Sequence, residues 1–162
     1  MYSLALYKTL KARGEPIERI AKIHHQINET YISSLPHLRV RIIRFLVSTP
    51  LAQKLGKALL RKRAVESQQR RYPQDFVFSY IQGDGKEFDF GIDYTECAIV
   101  NFFRAQGADE FTRYVCLYDF LNSQLTGTGL IRTKTLAEGA DKCDFRFKIG
   151  REPLNLQVTK IE

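Results

Sequence analysis

Apolar residues recur every three or four positions through the first seventy residues, which is the period of amphipathic helices. After a Gly-Glu-Pro break, the spacing from Ile17 to Tyr31 predicts one long helix. A second is expected from His37 and a third after Ser48-Thr49-Pro50. On the second helix, the side chains predicted to face inward are Leu38, Ile42, Phe45 and Leu46. On the third, the apolar residues that share one side are Leu51, Leu55, Ala58 and Leu59. Residues 1–71 are therefore expected to form three or four helices.

The period changes after Tyr72-Pro73, where aromatic and β-branched residues predict strands. Gly83-Asp84-Gly85 favours a hairpin between the first two strands, because glycine accepts the positive φ that a tight turn requires. The predicted elements are strands over 75–81 and 87–94, helices over 95–106 and 109–124, and strands over 130–136 and 143–149. The tail from Gly150 has no clear pattern.

This order of elements, helices followed by ββααββ, predicts an α+β fold with the helices packed on a small antiparallel sheet. A length of 162 residues fits a single domain. Within it we distinguish a basic helical half (1–71), a second half (72–150) that carries the candidate chemistry, and a tail (151–162).

The net charge of +7 is unevenly distributed. Residues 1–71 hold 15 Lys or Arg and 4 Asp or Glu, whereas residues 72–162 hold 10 and 14. A basic half attracts anions, whether nucleic acid, lipid or a carboxylate substrate. Because a charge run is more often a solvated face, we expect no nucleic-acid partner, and we keep contact with a membrane surface as an alternative. A homo-oligomer is compatible with the sequence.

Neither a bilayer-spanning apolar run nor a secretory signal is recognisable, so a cytoplasmic location is predicted. The three cysteines match no disulfide framework and no zinc-binding spacing. We therefore expect reduced thiols and no bound metal.

Each cysteine lies close to an acid in the second half of the chain. Cys97 follows Glu96, Cys116 precedes Asp119 by three residues, and Cys143 precedes Asp144. All three histidines belong to the helical half, so a histidine could join these groups only from there. Thiols and carboxylates are groups from which nucleophilic and acid–base catalysis is built.

The segments FDFGIDYTECAI and GLIRTKTLAEGADKCDFRF, with Cys116 and Asp119 between them, resemble the L-2-amino-thiazoline-4-carboxylic acid hydrolase family. The resemblance implies a bacterial, cytoplasmic hydrolase that opens the ring of a cyclic cysteine derivative to give N-carbamoyl-cysteine. We expect no cofactor. We accordingly predict hydrolysis of a C–N bond in a small carboxylated cyclic amidine. The alternatives are a non-catalytic ligand-binding or interaction module of the same fold, and a peripheral membrane protein that uses the basic helices.

The expected roles follow from this resemblance together with the residue types. The nucleophile is Cys143 or Cys97, the acid–base group is Glu96 or Asp119, and Arg132 holds the substrate carboxylate. The further substrate-binding candidates are Thr133, Thr135, Asp144 and Cys116. Structural roles compete with these: Cys143 shares the apolar phase of its strand, Glu96 can favour a helix start, and Asp144 can pair with Arg132 or Lys134.

Overall fold

The computed structural model describes residues 2–157 and 159–161. Seven helices are present there: α1 (Tyr2–Ala12), α2 (Ile17–Ser33), α3 (His37–Ser48), α4 (Pro50–Ser67), α5 (Ala98–Ala105), α6 (Asp109–Val115) and α7 (Tyr118–Thr126). Five strands accompany them: β1 (Val77–Gln82), β2 (Phe90–Glu96), β3 (Leu130–Arg132), β4 (Cys143–Phe147) and β5 (Leu154–Asn155), with a 3₁₀ turn at Leu136–Glu138. The predicted α+β class is confirmed.

The sheet has the strand order β1-β2-β4-β3-β5. The first four strands pair antiparallel as predicted, and β1 and β2 form the expected hairpin. Asp84 accepts the backbone N–H groups of Lys86 and Glu87, and Gly85 adopts φ +73°. The tail, which has no clear pattern in the sequence, adds β5, which runs parallel to β3, so the sheet is mixed.

The main core lies between the first two helices and the helices of the second half. Its buried residues are Tyr7, Ile20, Ala21, Phe103, Ala108 and Phe111. Tyr7 stacks on Phe111 with ring centroids 4.9 Å apart, and its hydroxyl donates to Glu110 at 2.6 Å. The basic half is therefore joined to the second half by packing as well as by charge.

Two predicted helices have different bounds in the structure. The first starts after Cys97 rather than at Thr95, because Glu96 still pairs with Val77 in the sheet. The helix predicted over 109–124 is two helices, with Cys116 and Leu117 between them. This break places Cys116 on the turn between the helices and Asp119 in the first turn of α7, where the Asp119 N–H donates to the Cys116 carbonyl at 3.3 Å.

The prediction that the apolar stripe of α3 faces inward is wrong, and the apolar stripe of α4 is exposed as well. The exposed fractions of their side chains include 68% for Leu38, 69% for Phe45 and 62% for Leu55. On the side of α4 that meets the sheet, Ala64 is buried, Arg61 donates to Gln82, and Ser67 exchanges hydrogen bonds with the backbone of Phe78. With this side against the sheet, the leucine stripe faces solvent.

Among the described residues, no helix combines the length and the apolar character needed to cross a bilayer.

Candidate active site

A cavity of about 700 Å³ lies between the helical half and the sheet. Five of the nine predicted site residues line it: Cys97, Cys116, Asp119, Arg132 and Cys143. The wall also includes Tyr31 and Ile99, whose side chains are 60% and 41% exposed, so the cavity opens to solvent. The structure thus brings all three thiols and one acid–base candidate to a single accessible hollow.

Arg132 is the most constrained group of this wall. Its Nη1 donates to Asp119 Oδ2 at 2.6 Å, its Nη2 to the Cys116 carbonyl at 2.8 Å and its Nε to Gln157 Oε1 at 2.7 Å. The side chain is 1% exposed. A buried guanidinium requires such partners, because an unpaired buried charge is strongly destabilising.

Two aromatic rings lie close to the Arg132 guanidinium. Its Cζ lies 4.8 Å from the ring centroid of Phe120 and 4.9 Å from that of Phe145. Cation–π contacts of this kind add to the hydrogen bonds in holding the group in place. Arg132 is therefore held against Asp119, and its role in holding a substrate carboxylate stays a prediction.

Asp119 faces the cavity. Protein atoms surround it closely, yet 42% of its side-chain surface is accessible because that surface borders the hollow. Burial raises the pKa of the Asp119 carboxyl, and the charge and hydrogen bond of Arg132 oppose that shift. A carboxyl with a raised pKa in a cleft is a candidate general acid or base.

The three thiols are free, and each has a raised pKa. Burial raises the pKa of Cys143 to about 11, although the Leu136 N–H donates to its Sγ at 3.2 Å. Burial also raises the pKa of Cys116 and of Cys97, in the latter case against the backbone N–H groups at the start of α5. A raised thiol pKa lowers the fraction of thiolate, which disfavours these cysteines as ready nucleophiles.

A second polar cluster on the cavity wall comes from the first two helices and was not predicted as a unit. His24 Nε2 lies 3.0 Å from Ser3 Oγ, Asn28 Nδ2 donates to the His24 carbonyl at 2.8 Å, and the Tyr2 hydroxyl donates to Asn28 Oδ1. The signal in the sequence is polar His24 and Asn28 placed four and eight residues after buried Ile20. His24 is thus the histidine of the helical half that reaches the candidate site, as the sequence allowed.

Burial lowers the pKa of His24 to about 4, and the neighbouring charge of His25 acts in the same direction. Because the pKa of His24 is lower in the folded state, the protein keeps its full stability above the unfolded-state pKa, near 6.5, and loses stability as the pH falls towards 4. We expect protonation of His24 to lower the free energy of unfolding by on the order of 3 kcal/mol between these two pH values. Urea denaturation between pH 7 and pH 4 measures the loss.

The comparison variant His24→Gln lacks the titrating group and should lose less stability across the same interval. The exposed His37, replaced by Gln, serves as the matched control and should follow the wild-type curve. Identical slopes for wild type and His24→Gln would contradict the assignment.

Glu96 is not among the residues that line the cavity. It accepts from Arg70 Nη1 at 2.5 Å and from Asn101 Nδ2 at 3.3 Å. These contacts tie the end of α4 to the end of β2. Between the two acid–base candidates, the geometry therefore favours Asp119.

Thr133, Thr135 and Asp144 also lie outside the cavity wall. Asp144 accepts the backbone N–H groups of Thr133 and Lys134, both at 2.9 Å, together with the Thr133 hydroxyl. Thr135 is fully buried. In the structure these side chains stabilise the connection between β3 and β4.

Within residues 2–157 and 159–161, no group of three or more His, Cys, Asp or Glu side chains is arranged to hold a metal ion.

A family model described as L-2-amino-thiazoline-4-carboxylic acid hydrolase matches residues 1–147. The matched span runs from α1 to β4 and contains both polar groups of the cavity wall. Comparison with curated proteins and with solved structures found no match in either set.

Proposed function

This chain belongs to the L-2-amino-thiazoline-4-carboxylic acid hydrolase family, and from that membership we propose that it hydrolyses a small carboxylated cyclic amidine of the aminothiazoline type in the cavity described above. The observation that carries the proposal is the Asp119–Arg132 pair. It presents a carboxyl with a raised pKa to an accessible hollow.

Atom balance identifies the bond that is cleaved. In N-carbamoyl-cysteine the carbon between the two nitrogens keeps both of them and gains an oxygen. Water therefore adds across the ring C=N bond, and the C–S bond breaks as the new carbonyl forms. One proton of the water ends on the ring nitrogen and the other on the leaving sulfur. This balance replaces the C–N cleavage expected from the sequence.

Asp119 is the proposed general base and acid. It accepts a proton from the attacking water and passes it to the ring nitrogen, and it then takes the proton of the new hydroxyl and passes it to the sulfur as the C–S bond breaks. Arg132 is a positioning residue, because its guanidinium holds one carboxylate oxygen of Asp119, whose side chain lines the cavity and is partly accessible. The hydroxyl and amide groups of Tyr2, Ser3 and Asn28 offer hydrogen bonds to the polar edge of the substrate.

Water is the proposed nucleophile because burial raises the pKa of the cavity thiols and so disfavours their thiolate forms. The test is incubation with 2-aminothiazoline-4-carboxylate and detection of N-carbamoyl-cysteine by mass spectrometry. Turnover is expected, and Cys143→Ala should change kcat/KM less than about tenfold.

Two results would count against the proposal in different ways. Binding of the compound without any product would remove the activity and support a non-catalytic ligand-binding module. A loss on the order of 10⁴-fold or more in Cys143→Ala would keep the activity and replace water by a cysteine nucleophile.

A further inference from the structure

Helices α3 and α4 expose apolar side chains that the rest of the described chain does not bury. On α4, Leu51, Leu55 and Leu59 recur every four residues, and their exposed fractions are 68%, 62% and 53%. On α3, Leu38 and Phe45 are 68% and 69% exposed, and the helix has no buried residue. Exposed apolar surface of this extent is typical of a binding surface.

The inward faces of the same helices are held by polar contacts. Besides the hydrogen bond of Arg61 to Gln82, the Arg61 Cζ lies 4.7 Å from the ring centroid of Tyr80. Arg44 of α3 donates through Nη2 and Nε to carbonyl groups at the end of α7, at 2.6 and 3.2 Å. These contacts fix the orientation of both helices, so their apolar stripes remain outward in the folded protein.

The charge of these helices indicates the nature of the occupant. Residues 37–67 contain one acid, Glu66, and eight basic residues: Arg39, Arg41, Arg44, Lys54, Lys57, Arg61, Lys62 and Arg63. A second copy of the chain on this face would bring two such basic clusters together, which is unfavourable. Nucleic acid would satisfy the charge but would leave the leucines in water.

We propose that the α3–α4 pair (residues 37–67) binds the surface of an anionic lipid bilayer. Leu38, Phe45, Leu51 and Leu55 enter the boundary between head groups and acyl chains, and the flanking Lys and Arg side chains contact lipid phosphates and carboxylates. Interfacial helices combine these same two features, an apolar face and basic flanks. Residues 72–162 carry more acids than bases, so an anionic surface favours contact through the helices.

The experiment is co-sedimentation of the full chain with vesicles of phosphatidylcholine containing about 30 mol % phosphatidylserine, with pure phosphatidylcholine vesicles as the comparison. We expect binding to the anionic vesicles that weakens as salt is raised. Phe45→Ser/Leu55→Ser should weaken partitioning about 100-fold. Lys54→Gln/Arg63→Gln, which replaces two exposed charges, should weaken it about 30-fold.

A matched control replaces two exposed basic residues elsewhere, Lys86→Gln/Arg113→Gln, and should bind as the wild type does. Equal binding of wild type and Phe45→Ser/Leu55→Ser, or no binding to anionic vesicles, would overturn the proposal.

Sedimentation equilibrium tests the competing occupant, a second copy of the chain. A dimer that dissociates in Phe45→Ser/Leu55→Ser, without vesicle binding by the wild type, would assign the face to a second copy and would also overturn the proposal.

Discussion

Asp119→Asn is expected to lower kcat/KM for 2-aminothiazoline-4-carboxylate by a factor of about 10²–10⁴. The substitution keeps the size of the side chain and its hydrogen bond from Arg132, but it removes the group that exchanges protons with water and sulfur. Steady-state kinetics from pH 4 to pH 9 provide the measurement. The wild-type rate should fall at the acidic end as Asp119 is protonated, and this limb should disappear in the variant.

Asp141→Asn is the matched control for this experiment. Asp141 lies on the surface, where it pairs with Lys134, and it does not line the cavity. Its replacement should leave kcat/KM within about twofold of wild type. An Asp119→Asn protein that folds and retains wild-type kcat/KM would remove Asp119 from the chemistry.

Arg132→Met is expected to reduce the unfolding free energy by about 3 kcal/mol. The change leaves three acceptors without their donor: the Asp119 carboxylate, the Cys116 carbonyl and Gln157 Oε1. The value is taken at the lower end for a broken buried pair, because part of the Asp119 side chain borders the accessible cavity. Urea denaturation at pH 7 measures the difference.

A double-mutant cycle separates the ion pair from the packing of the long side chain. Arg132→Met/Asp119→Asn should be less destabilised than the sum of the single changes, since no unpaired charge then remains. Replacement of the exposed Arg113 by Met should alter stability by less than about 0.5 kcal/mol. Strict additivity of the two single changes would show that Arg132 and Asp119 do not stabilise each other.

Much of the second half could be predicted from residues that are neighbours in the sequence. The Gly83-Asp84-Gly85 turn, with alternating residues on both sides, predicted the β1–β2 hairpin, and the Cys143 strand was placed almost to the residue. The family resemblance likewise identified the segments that supply Cys97, Asp119, Arg132 and Cys143 to one cavity. Such features depend on neighbours in sequence or on long motifs.

Contacts between distant segments were not predictable in the same way. Periodicity identified the apolar stripes of α3 and α4, but it carries no information about which side of a helix meets the sheet. The side of α4 that meets the sheet is fixed by contacts with a distant segment, such as the hydrogen bond from Arg61 to Gln82. The cluster around His24 was missed for a related reason, because its members become a site only when α2 lies across the cavity from β4.

Because Gln157 of the C-terminal tail is hydrogen-bonded to Arg132, the tail has to be kept when a fragment of the protein is produced. Residues 148–162 follow the span that the family model matches, yet β5 pairs with β3 and Gln157 accepts from the Arg132 Nε. A recombinant fragment trimmed at residue 147 would lose this strand and one of the three acceptors that hold the guanidinium. Fragment boundaries for crystallisation or assay therefore belong beyond Gln157, and a purification tag is better fused at the opposite end of the chain.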